Sequence, residues 1–178
     1  MRVKLKRPQL VVKIKLRNFL QLQMLLKLFI SLIPLILAII WAVAIFQFSA
    51  QSSTESSLLS NTVYNKMPSS ILWVFKIIPI RKMAHIIVYM VLSFLTILSI
   101  NLMTNHPYIL TVCLCYTYAC LDEIHQKFTL GRGSQFTDTV IDLSGILLCL
   151  LLGFVFIFIC NALNQAIRNS MRRTKEAL

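Results

Sequence analysis

The chain has 178 residues, 57% of them hydrophobic and 13% charged, with a mean hydropathy of +0.75 and a formal net charge of +12. A soluble domain of this size needs far more polar surface, so the composition excludes one and indicates a polytopic membrane protein with no separate soluble domain. Nor does the charge indicate nucleic-acid binding. Eight basic residues (Arg2, Lys4, Lys6, Arg7, Lys13, Lys15, Arg17, Lys27) precede the first long apolar stretch, and four (Arg168, Arg172, Arg173, Lys175) follow the last. None of them forms the stripe interleaved with aromatics that nucleic-acid surfaces carry.

In chain order, residues 1–27 read as a basic arm at the cytoplasmic face or membrane surface. Anionic lipid would attract it by roughly 1 kcal/mol per basic residue near the surface. Apolar spans are expected at about 28–48, 84–103, 108–128 and 139–160, all within a transmembrane domain over 28–160. Residues 161–178 read as a basic tail, frayed beyond Ile167. The excess of Lys and Arg at both ends places both termini in the cytoplasm, which agrees with an even number of spans. The first span is too long, and its basic flank too extended, for a cleavable signal peptide, so it reads as a signal anchor.

The first outer loop, 49–80, opens Ser-rich. Its second part, 71–80, is apolar but too short to span; it contains Trp73, Phe75 and Lys76 and reads as an interfacial helix. Trp41 and Trp73 are both expected to face lipid or the interface. The tight turn Asn105-His106-Pro107 makes the second and third spans antiparallel neighbours. The five cysteines all fall in apolar segments, are odd in number and form no CxxC, so they read as packing residues. The fold class is therefore all-α: a polytopic bundle of four transmembrane helices plus a short interfacial helix.

The few polar residues inside this apolar chain carry the functional signal. Of six acidic residues, Asp122, Glu123, Asp138 and Asp142 fall within twenty-one positions. From Tyr108 to Leu121 a helix rises only about 20 Å, too little for a hydrocarbon core of about 30 Å. Continued to Phe128 it reaches about 31 Å, which draws Asp122, Glu123 and His125 into the outer third of the membrane. Arg81 and Lys82 mark the outer edge of the second span and set His85 about 6 Å deeper. Asp138 does the same for the fourth span and Asp142. Helical spacing groups Arg81, His85, Tyr89, Ser93 and Thr96 on one face, Thr111, Cys115, Tyr118, Asp122 and His125 on another, and Asp138, Asp142, Gly145 and Cys149 on a third. Three polar faces can then converge, with Gly145 allowing close backbone approach beneath the cluster. Gly131 and Gly133 flank Arg132 in a tight turn, from which its planar fork can bind a phosphate or carboxylate, or pair with Asp138 or Glu123.

The pattern Arg81-Lys82-Met83-Ala84-His85, Tyr89, Asp122-Glu123-Ile124-His125-Gln126-Lys127-Phe128, Gly131-Arg132, Asp138-Thr139-Val140-Ile141-Asp142 and Gly145 resembles the VanZ-like family of bacterial membrane proteins. The stretch Phe46-Gln47-Phe48-Ser49-Ala50-Gln51-Ser52 also resembles the segment after that family's first span. The resemblance covers roughly residues 35–155. It implies a multi-pass protein of the bacterial cytoplasmic membrane. The family is named for a protein that raises tolerance to teicoplanin-type glycopeptides.

Three functions are compatible with these residues. In the first, Arg81, His85, Asp122, Glu123, His125, Gln126, Arg132, Asp138 and Asp142 form a site at the outer leaflet for an anionic membrane lipid, a lipid-linked cell-wall precursor or a glycopeptide. In the second, the chain is an intramembrane enzyme with Glu123, His125 or His85 as acid or base, and Asp122, His125 and Asp142 supply ligands for a divalent cation. The spacing does not match the zinc motif HExxH, and the chain carries no lipid-phosphatase signature. In the third, the set is a buried ion-pair network that fixes helix packing.

Overall fold

The computed structural model describes residues 7–70, 72, 75, 78–129, 131 and 135–176. Five helices account for most of them: α1 (Arg7–Ser49), α2 (Ser53–Lys66), α3 (Ile80–Ile100), α4 (Pro107–Gln126) and α5 (Phe136–Glu176). Nothing in the chain before Gly131 is a glycine, and Pro8 falls in the first turn of α1, where a missing N–H leaves no hydrogen bond unmade. Pro34 lies inside α1 and removes one intrahelical bond there.

Both ends are more ordered than hydropathy suggests. The basic arm from Arg7 onward is a continuation of α1, and the tail beyond Ile167, expected to fray, stays helical to Glu176. Hydropathy registers only the apolar window. The flanking Leu, Gln, Met, Ala, Arg and Lys residues are good helix formers and extend the helix past that window.

Among the described residues, three helices are long and apolar enough to cross a membrane: Lys15–Ser49, Ile80–Ile100 and Phe136–Asn169. They cover the first, second and fourth expected spans. The third expected span forms the twenty-residue helix α4, but Asp122, Glu123, His125 and Gln126 keep it out of that apolar class. The interfacial helix expected over 71–80 falls largely outside the described residues. Upstream of it, the Ser-rich stretch that reads as loop is instead α2. Its start is a capping box: Ser52 Oγ accepts from the Glu55 amide, and the Ser52 amide donates to Glu55 Oε2 at 2.9 Å.

Cross-helix contacts fix the topology. Trp41 Nε1 donates to the Val88 carbonyl at 2.9 Å, and Tyr118 Oη donates to the Ala42 carbonyl at 2.6 Å. Trp41 is thus half-buried against α3 and is not a free lipid-facing ring. With Cys115 beside Thr96 and Ser49 beside Asp122, these pairs run α1 parallel to α4 and antiparallel to α3. Successive long helices alternate in direction, with α3 packed on α5, α1 and α4. The core is small: Ile45, Tyr89, Leu92, Cys115, Ala119 and Ile146. Small polar residues share the interior, with Ser93 and Thr111 fully buried, as expected where close helix contact replaces a hydrophobic drive. Apart from Ile45 and Ile146, most large apolar side chains of α1 and α5 face outward, suiting a hydrocarbon environment.

Candidate functional site

The alternating topology gathers the C-terminal ends of α1 and α4 and the N-terminal ends of α3 and α5 at one end of the bundle. Within that end the carboxylates separate into distinct arrangements.

Between α3 and α5, His85 Nδ1 lies 2.9 Å from Asp142 Oδ1, with the Asp142 side chain 1% exposed and the His85 ring 12% exposed. Among the described residues this is the one ion pair. Below it, Gly145 is pressed against the α3 backbone so closely that an added Cβ would collide with the Ile86 carbonyl. The expected close approach at Gly145 is therefore real, and it carries Asp142 to His85.

Between α1 and α4, Asp122 Oδ2 accepts from Ser49 Oγ at 2.9 Å and from Gln126 Nε2 at 3.2 Å. Glu123, also buried, accepts from the Gln135 amide and so ties α4 to the approach of α5. Tyr89 is fully buried and lines the same cavity as His85 and Asp122. Among the described residues its buried hydroxyl has no hydrogen-bond partner.

His125 meets the same helix as Asp122: it stacks on Phe46 of α1, with ring centroids 4.1 Å apart and planes 24° apart. Among the described residues, no three His, Cys, Asp or Glu side chains converge as metal ligands, so Asp122, His125 and Asp142 do not form one coordination set. Arg132 lies outside the described residues. Asp138 is buried at the start of α5 and lines a cavity with His85.

Three cavities open around Arg81. The largest, about 360 Å³, lies between α1, α2 and α3, with walls that include Phe48, Leu59, Val63, Ile80 and Val88. A second, about 280 Å³, lies between α2 and the start of α3 and is lined by Ser60, Asn61, Tyr64 and Arg81. A third, about 340 Å³, is bounded by Lys82, His85, Gln135 and Asp138 as well as Arg81. Arg81 lines all three, and among the described residues its buried Nε has no hydrogen-bond partner.

A VanZ/LLP1 family model matches residues 34–171. The chain belongs to the VanZ/LLP1 family. No curated protein and no solved structure matches it. In this VanZ/LLP1 chain the polar end also includes Ser49 and Tyr89, which the proposed binding set omits. Ser49 of α1 holds Asp122; the motif around it is recognisable, but a serine hydroxyl does not name its partner. Tyr89, grouped by spacing with Arg81 and His85, is fully buried and lines the same cavity as His85 and Asp122.

Proposed function

We propose that this VanZ/LLP1 protein is a multi-pass protein of the bacterial cytoplasmic membrane with both termini inside, α4 as its fourth span and the polar end at the outer leaflet. There it engages an anionic lipid or a lipid-linked cell-wall precursor and so contributes to tolerance of teicoplanin-type glycopeptides. The observation that carries this reading is Arg81. It is a cation with no carboxylate partner among the described residues, set where an apolar cavity meets two polar ones. Small-ligand sites have this form: mostly apolar walls with a few polar groups that fix orientation. The basic N-terminal half of α1 and the basic end of α5 lie at the opposite end of the bundle, consistent with the positive-inside rule.

The test is a teicoplanin susceptibility assay in a host that depends on this chain for tolerance. Arg81→Ala should return tolerance to the empty-vector level at equal membrane abundance. Unchanged tolerance would remove Arg81 from the function.

An acid–base enzyme is the second reading, and one observation favours it. Asp142 engages Nδ1 of His85 and leaves Nε2 for a reacting group, the arrangement of a positioned base. Turnover of a lipid phosphate by purified protein, lost in His85→Gln, would move the function to this class.

A further inference from the structure

Besides Arg81, the cavity between α1, α2 and α3 is lined by two residues whose buried oxygens lack partners. Asp122 is 3% exposed and Tyr89 0%. Among the described residues, neither Asp122 Oδ1 nor Tyr89 Oη makes a hydrogen bond. A buried polar group left unpaired is costly, and beside a cavity it points to a group that the protein holds there. Ser93 and Thr111 also have buried hydroxyls without partners, but neither lines this cavity.

The chemistry of the two oxygens restricts what can meet them. Asp122 Oδ2 already takes the Ser49 hydroxyl and the Gln126 amide, so the remaining oxygen of this carboxylate is an acceptor in want of a donor. No cation pairs with it among the described residues. Tyr89 Oη both donates and accepts. A phosphate does not suit this place, because its charge would face a carboxylate of the same sign. An ammonium answers Asp122 but gives the Tyr89 hydroxyl nothing to donate to. Ligand hydroxyls answer both, donating to Asp122 Oδ1 and accepting from Tyr89 Oη.

Arg81 completes the cavity. It precedes Tyr89 by eight residues on α3, about 12 Å of helical rise. Helical side chains lean toward the N-terminus, which carries the Tyr89 ring back toward the Arg81 end. The anion site and the hydroxyl site thus belong to one ligand. The cavity is open on one side, so the hydrocarbon of that ligand continues into the bilayer and its chain number is not restricted.

We infer that this cavity selects lipids whose phosphate carries a polyol, either a glycerol or a sugar-like ring, with the phosphate on Arg81 and the hydroxyls on Asp122 and Tyr89. This rests on the reading of the polar end as an anionic-lipid site and names the head group that the site distinguishes.

The experiment is displacement of labelled dioleoyl phosphatidylglycerol from the full-length protein in phosphatidylcholine nanodiscs. The reference competitor is dioleoyl phosphatidylmethanol, which has the same chains and charge but no hydroxyl. A site built to bond a ligand hydroxyl rejects the analogue without one, because its own buried groups are then left unpaired. Unlabelled phosphatidylglycerol, the acyclic polyol, or phosphatidylinositol, the ring, should therefore compete at least tenfold better than phosphatidylmethanol, and the better of the two names the source. Asp122→Asn should bring that ratio to within about twofold: Ser49 and Gln126 hold the amide oxygen in the place of Oδ2, so an NH₂ donor replaces Oδ1. Tyr89→Phe should lower the ratio at least threefold. Arg81→Ala should weaken the polyol lipids and phosphatidylmethanol alike and keep their ratio. Equal competition by all three anionic lipids would overturn the hydroxyl site and leave the anionic-lipid reading standing. Phosphatidylethanolamine competing as well as phosphatidylglycerol would replace the hydroxyl by a cation and refute the assignment. A ratio that survives both Asp122→Asn and Tyr89→Phe would take the selection away from these residues. Binding no greater than that of protein-free nanodiscs for every anionic lipid would remove both readings together.

Discussion

Gly145 of α5 lies flush against the Ile86 carbonyl of α3, one residue from His85 and three from Asp142. The pair at 2.9 Å exists because the two backbones meet here without a side chain between them. Gly145→Ala must push α3 and α5 apart. It should destabilise the protein by about 1–3 kcal/mol, the usual range for overpacking. Gly153, on the same helix with nothing within 4 Å of its built Cβ, is the control. Gly153→Ala should be neutral or stabilise by up to about 1 kcal/mol through helix propensity. Unfolding titrations in SDS compare the two, and equal effects at both glycines would refute the close-contact argument.

Asp142 is the more buried member of the His85 pair. Removing one partner leaves the other desolvated and unmatched, so Asp142→Ala should cost about 3–5 kcal/mol. The double variant His85→Leu with Asp142→Leu should recover most of that loss, because apolar groups of similar volume often replace a buried pair without penalty. A double-mutant cycle measures the coupling. Additive losses would mean that the two side chains do not stabilise one another.

Much of this end of the molecule is legible in the sequence. Helical spacing puts His85 and Asp142 each about one turn inside the start of its own helix, at the same end of the bundle, where the structure pairs them. Gly145 is legible for the same reason, since a small residue under a polar cluster has few other uses. The stacking partner of His125 is not: spacing sets His125 about 60° from Asp122, and only the pairing of α1 with α4 brings Phe46 to its ring. Ser49 is not legible either, because its partner is chosen by the parallel pairing of α1 with α4. Helix α2 is partly legible: Ser52-Ser53-Thr54-Glu55 is a capping-box sequence, but its serine-rich composition reads as loop.

Asp122 keeps two donors on one oxygen, Ser49 from α1 and Gln126 from its own helix. Ser49→Ala removes the donor that comes from another helix. A buried carboxylate losing one hydrogen bond should lower stability by about 1–3 kcal/mol. Ser49→Thr keeps the hydroxyl and should lose less. If Ser49→Ala and Ser49→Thr unfold at the same SDS fraction, the hydroxyl does not support Asp122.

The Glu55 carboxyl lies below the ordinary range because it accepts hydrogen bonds from the Ser52 amide and then the Ser52 hydroxyl. Its folded pKa is depressed, so its contribution to α2 is fully present above the unfolded value of about 4.3 and is lost as pH falls through the folded value. Amide exchange protection of α2 should therefore be higher at pH 7 than at pH 3 in the wild type. Glu55→Gln removes the titrating group and should flatten that difference, and Ser52→Ala should lower protection at pH 7 by removing the cap. An α2 whose protection factors keep the wild-type pH dependence in Glu55→Gln would show that the carboxylate does not hold the start of this helix.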